Sequence, residues 1–198
     1  MTFSIVARCT RTDQLGMAVS SSSPAVAARC AHAKAGVGVV ASQNITDPRL
    51  GPKTLLAMAE GHSAPEAVKM IINASKNADF RQLLAVDASG NAAIYSGSKS
   101  LGTHADFTSQ NAAAAGNLLA NPNIPEAMVT AFHQGTGHLG DRLIDAMRAA
   151  LALGGEAGAL HSAGLLLVGE QEWPMADLRC DWTEDCPIEA VAAAWNIY

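Results

Sequence analysis

The sharpest chemistry in the sequence sits at its start, where Thr2 follows Met1. Removal of Met1 would expose a threonine whose α-amine, with an unperturbed pKa near ~7.7 to 8, can take the proton of its own hydroxyl. One residue would then supply nucleophile and base. A Met-Thr start is common, and it gains weight here because a strand and a hairpin begin at once. The run Ser20-Ser21-Ser22-Ser23 before Pro24 offers hydroxyls to an oxyanion or a substrate carboxylate, and equally suits a plain turn. Lys34 precedes a valine-rich segment. Pointing inward, its charge would lower the pKa of the amine or hydroxyl; pointing outward, it is an ordinary surface lysine.

Other motifs read as structure. Gly36-Val37-Gly38-Val39-Val40-Ala41 formally matches a dinucleotide fingerprint, but its valines belong to a strand and open no helix. His133 and His138 flank a Gln-Gly-Thr-Gly loop with no acidic partner at a recognised spacing, so no metal is expected. Cys9, Cys30, Cys180 and Cys186 are scattered and show no paired ligand spacing; reduced thiols are expected. No sequence feature calls for a cofactor.

The elements that must position these residues begin with strands at Phe3 to Ala7 and Leu15 to Val19, joined by a turn at Thr12-Asp13-Gln14. Val37 to Val40 is a third strand. Helices follow at 53–60 and from Ser63, where Ser63, Pro65 and Glu66 spell a capping box. Gln82 to Val86 and Ala92 to Tyr95 flank Asp87-Ala88-Ser89-Gly90-Asn91, a hairpin whose Gly and Asn tolerate positive φ. Helical spacing recurs over 125–134 and 139–152, and Ala163 to Val168 returns to strand. From Glu172 the chain reads as irregular until Ile188 to Trp195. Hairpin-linked strands with paired helices between them favour antiparallel sheets covered by helices over a βαβ repeat.

The 198 residues suit a single domain spanning 1–198, with a core of small aliphatic side chains, since aromatics make up only 5%. A net charge of −5 without any charge block argues against a nucleic-acid partner. No membrane-length apolar window and no leader-like start are visible, so a cytoplasmic location is expected.

The segments MTFSIVAR, AVSSSSPAV, AGVGVVASQNITDPRLGP, RQLLAVD, AAAAGNLL and DLRCDW resemble, in order and spacing, the bacterial domain of unknown function 1028 (DUF1028) family over nearly the whole chain. The resemblance implies an N-terminal-nucleophile (Ntn) hydrolase-like fold: an α+β, four-layer αββα sandwich of two antiparallel sheets between helix layers. It marks Ser21, Gln43, Thr46, Pro48, Gly51, Arg81, Gln82, Asp87, His104 and the pair Gly116-Asn117 as matching positions and pocket candidates. Thr2 and Lys34 also stand at a spacing similar to that of proteasome-type threonine and activating lysine. The chain departs from the family pattern at Ser22 and at Leu101-Gly102-Thr103. The usual Gly-Gly-Asp-x-Arg-Gly run reads Gly154-Gly155-Glu156-Ala157-Gly158-Ala159. Two arginines are thereby lost, and with them planar donors for carboxylates.

These readings converge on an amidohydrolase that opens a linear amide in a small N-acyl or peptide-like substrate. Thr2 attacks, Lys34 tunes the amine, and Asn117 or a backbone amide near Ser21 holds the oxyanion. Gln43, Thr46, Arg81 and His104 bind the substrate. Thr2, Ser21, Lys34 and Asn117 are expected to converge at one end of the sheets. The alternative is a binding protein that keeps the fold and its cleft without chemistry. A twofold homodimer is the expected assembly.

Overall fold

A computed structural model describes residues 2–198 of the chain; the fate of Met1 lies outside the described residues. The chain opens with β1 (Thr2–Arg8) and β2 (Leu15–Ser21), then α1 (Val26–Cys30), β3 (Ala31–Lys34) and β4 (Gly38–Asn44). Helices α2 (Leu50–Ala59) and α3 (Ala64–Asn73) lead through a short 3-10 turn to β5 (Arg81–Asp87), β6 (Ala92–Ser96), β7 (Ala105–Ser109) and β8 (Ala112–Asn117). The remainder is α4 (Ile124–Gln134), α5 (Leu139–Ala152), β9 (Ser162–Val168), β10 (Ala176–Cys180) and α6 (Pro187–Ile197).

The strands form a six-stranded sheet in the order β10-β9-β2-β1-β8-β7 and a four-stranded sheet in the order β3-β4-β5-β6. Every pairing is antiparallel. Period-two alternation sorts the side chains of each strand between two faces. On β1, Phe3, Ile5 and Ala7 face Met128, Phe132, Leu143 and Met147 of α4 and α5, with Val191 of α6 in the same layer. Val6, Met17 and Val19 face the other way, onto Val39, Ala41, Leu84 and Val86 of the smaller sheet. That sheet's far side, Val40, Leu83 and Ala85, packs on Leu55 and Met58 of α2 and Val68 and Ile72 of α3. The layers therefore run α, β, β, α, as the resemblance implies.

The capping box forms: Glu66 Oε2 accepts from the Ser63 N–H at 2.8 Å. In the hairpin between β5 and β6 only Gly90 takes a positive φ, and Asn91 does not. The turn is held instead by Asp87, whose Oδ1 accepts from the N–H groups of Ser89 (2.9 Å) and Asn91 (3.0 Å). The irregular tail is corrected too, because β10 pairs with β9 from Ala176↔Leu167 to Cys180↔Ala163. Four cysteines are free thiols.

Candidate functional site

Alternation also decides where the polar residues go. The side that carries Val6 on β1 carries Ser4 and Thr2; the side with Val19 on β2 carries Ser21; the side with Ala113 and Ala115 on β8 carries Asn117. Register then lines them up. Thr2 pairs with Asn117, Ser21 pairs with Ser162, and the Phe3↔Ser20 pair brings Thr2 beside Ser21. Ser162, Ser21, Thr2 and Asn117 thus form one polar row across four neighbouring strands, at the end of the inter-sheet space where the apolar filling stops. All four are buried, Thr2 at 5% exposure.

Opposite the row, Gln43 and Gln82 extend from the smaller sheet on the same faces as Ala41 and Leu84. Ser4 Oγ donates to Gln43 Oε1 at 2.6 Å, and Gln43 Nε2 donates to the Ala115 carbonyl and to Gln82 Oε1, both at 3.1 Å. Gln82 Nε2 donates to the Gly116 carbonyl at 3.1 Å, while Asn117 Nδ2 donates to Gln82 Oε1 at 2.9 Å. A buried amide left unpaired costs about 1 to 3 kcal/mol, so this ladder makes a polar end to the core tolerable.

At the open side of the row, hydroxyls follow one another. Thr2 Oγ1 lies 3.3 Å from Ser21 Oγ, and Ser21 Oγ lies 2.8 Å from Ser23 Oγ and accepts from the Ser23 N–H at 3.1 Å. Arg29 donates to Ser23 Oγ. Glu156 closes the site. Its Oε2 accepts from the Ser22 N–H at 3.2 Å, and burial pushes its carboxyl up to about 7. Glu156 Oε1 and Asn117 Oδ1 are buried acceptors without a hydrogen-bond partner among the described residues. Chemically, the end of the sandwich offers a hydroxyl, a relay of further hydroxyls, an amide donor and a carboxyl that holds its proton near neutrality.

The site residues expected from sequence divide cleanly. Thr2, Ser21, Asn117 and Gln43 come together, with Gln82. Lys34 does not: it is exposed and pairs with Gly38, five positions along β4 from Gln43, or roughly 17 Å at strand rise. Arg81 stands next to Gln82 but points to the opposite face, the one shared with Leu83, and its guanidinium donates to the Ile45 carbonyl. Thr46 is half-buried beside Cys30, its hydroxyl 3.7 Å from a thiol that burial pushes up. His104 is exposed on the loop before β7, its Nδ1 3.3 Å from the Gly102 carbonyl. Asp87 occupies the far end of β5, where its Oδ2 accepts from the Ala64 N–H at 2.9 Å and fixes the start of α3. A cavity of about 410 Å³ beside Asp87, lined also by His62, Glu66 and Asn91, belongs to that far end.

His133 and His138 have structural partners. His133 Nε2 lies 2.7 Å from Ser109 Oγ, while His138 Nδ1 accepts the Gly140 N–H at 3.2 Å and caps α5. Sequence reasoning missed Ser4 and Glu156. Ser4 was discoverable as the residue one strand period after Thr2, and Glu156 as the acid delivered by Gly154-Gly155, a pair with φ of +98° and +60° that non-glycine residues rarely adopt.

An antiparallel αββα sandwich with a polar row at one end of its inter-sheet layer is the class that fold and site define. The chain belongs to the family described as "Family of unknown function (DUF1028)", whose model matches residues 2–191. It is similar to protein SPO2555 from Silicibacter pomeroyi, a crystal structure of the same family, with 30% identity, a TM-score of 0.91 and coverage of 99% of this chain and 88% of the other. Anbu (ancestral beta-subunit) from Yersinia bercovieri is similar at 11% identity and a TM-score of 0.45, over 98% of this chain and 93% of its own. No curated protein matches. Among the described residues, no helix is long and apolar enough to cross a membrane.

Proposed function

We propose that this chain is a cytoplasmic amide-bond hydrolase of small N-acyl or peptide-like substrates, with Thr2 as nucleophile once Met1 is removed. The observation that carries the reading is the place of Thr2, at the polar end of the inter-sheet layer with Ser21 Oγ 3.3 Å from its hydroxyl and Asn117 as its strand neighbour. The Thr2 hydroxyl gives its proton to its own α-amine as Oγ1 bonds to the substrate's carbonyl carbon, and the second N–H of the Asn117 amide faces the developing oxyanion. The ammonium proton passes to the leaving nitrogen and the C–N bond breaks. Water, deprotonated by the same amine, then cleaves the threonine ester. Amide and water become acid and amine.

Lys34 drops out of this mechanism. Its distance favours the second reading, a binding protein that uses the polar row without chemistry, because Lys34 does not sit beside the nucleophile. The test is a full-length chain with Met1 cleaved away, assayed against a panel of N-acyl and aminoacyl amides. Turnover is expected in that chain, and none in its Thr2→Ala variant at unchanged circular dichroism. Turnover that survives in Thr2→Ala overturns the nucleophile; no turnover on any amide, with substrate-like molecules still raising Tm, establishes the binding reading. Intact mass from the native host is expected to lack Met1.

A further inference from the structure

Beyond Thr2, the chain turns back over the start of its own first strand. β1 lies between β2 and β8, so whatever continues the sheet beyond Thr2 is flanked by Ser22 on one side and Leu118 to Ala120 on the other. The segment 155–157 fills this position. Leu119 bridges to Glu156, the Ala120 N–H donates to the Gly155 carbonyl at 3.0 Å, and the Ala157 N–H donates to the Leu118 carbonyl at 2.9 Å. From that backbone, anchored on the β8 side, the Glu156 carboxyl reaches across to the Ser22 N–H on the β2 side. The carboxyl therefore spans from the β8 side to the β2 side, past the end of β1.

Glu156 is 4% exposed, and its second oxygen has no hydrogen-bond partner among the described residues. A buried carboxylate oxygen without a donor is costly and calls for a partner, and the N-terminal amine is the cation that bears on this carboxyl. We infer that Glu156 is a positioning residue: its carboxylate receives the α-ammonium of Thr2 after Met1 is removed and aims the amine at the threonine hydroxyl. The inference rests on the Thr2 reading proposed above. It supplies the orienting group that Lys34 cannot, with the amine held between hydroxyl and carboxylate as a base held by a third group.

The other charged groups at this end are engaged elsewhere. Arg29 donates to Ser23 Oγ and to the Pro24 and Ala25 carbonyls, and Arg81 to the Ile45 carbonyl. His161 Nδ1 lies 2.9 Å from the Thr183 carbonyl and 3.8 Å from Glu184, and His104 is exposed at Gly102. The N-terminal amine bears also on Cys30, whose thiol burial pushes up, so Glu156 is the acid set to feel the new amine.

The experiment uses the full chain with Met1 cleaved away, in wild type, Glu156→Gln and Glu156→Asp, and follows the α-amine of Thr2 by the pH dependence of its selective acylation. An opposite charge within a few ångströms raises an amine's pKa, so Glu156→Gln is expected to lower the midpoint by about one pH unit or more, and Glu156→Asp to restore most of it. An unchanged midpoint in folded Glu156→Gln overturns the inference. Should that variant not fold, carbon NMR of the Glu156 carboxyl in wild type decides: its midpoint is expected to fall by about a unit on Met1 removal, and no change overturns the inference. Turnover is read in the same samples. A shifted amine without turnover supports the placement of Glu156 and sinks the hydrolase reading, whereas turnover without any shift keeps Thr2 and removes Glu156.

Discussion

At the scale of single residues, Gln82 and Glu156 carry opposite expectations. Gln82 holds four partners, Gly116 and Asn117 across the sheets and Gln43 and Ser96 within its own sheet, so Gln82→Leu strands the Asn117 and Gln43 amides in the interior. We expect a loss of about 3 kcal/mol in urea unfolding, seen as a lower midpoint at constant slope. Glu156, by contrast, burdens the fold while Met1 is retained. Burial pushes its folded carboxyl up to about 7 against ~4.3 for an ordinary glutamate, so the folded state holds the proton more tightly than the unfolded one. Stability is then full below the unfolded value and falls as pH rises toward and through 7, by up to roughly 4 kcal/mol. Glu156→Gln should flatten that dependence and leave the protein the more stable above neutrality; urea melts at pH 5 and pH 8 decide. Of the catalytic residues read from sequence, Thr2, Ser21 and Asn117 meet because strand alternation and register place them. Lys34 was misplaced because an i-to-j spacing carries no information about which end of a hairpin a residue occupies.

At the scale of elements, the strands rich in Val, Ile and Leu were legible, as were the helices with caps and 3.6-residue spacing. The strand that carries Asn117 was visible only through the resemblance. β8 reads Ala-Ala-Ala-Ala-Gly-Asn, and alanine has no β-branch or ring to announce a strand. Its fitness is tertiary: Ala113 and Ala115 face the smaller sheet while Ala112 and Ala114 face the helices, all without exposed surface. Small side chains on both faces let the layers close tightly enough for Gln43 to reach the Ala115 carbonyl. Ala113→Leu, although more hydrophobic and no worse a strand former, should therefore destabilise by about 1 to 3 kcal/mol through overpacking, measurable as a lower thermal midpoint. β3 and β10 escaped detection for a related reason. They are edge strands of four and five residues, too short for alternation to show in their sequences.

At the scale of the molecule, the layer order followed from hairpin grouping and from the resemblance, while the association of copies has no counterpart in the described chain. We expect a twofold homodimer, and light scattering across micromolar concentrations that finds only monomer would remove that expectation. The central position of β1 has a further consequence, in the order of assembly. Thr2 to Arg8 is made before the strands it pairs with and can pair with β2 as soon as that follows, yet its other edge waits for β8 and the free edge of β2 waits for β9. Until more than half of the chain has been made, the nascent hairpin keeps both edges unpaired, and the apolar Phe3, Ile5 and Val6 have no layers to cover them. The polar row can close only when these late strands arrive, so synthesis of the site begins with its first residue and ends among the last strands to be added.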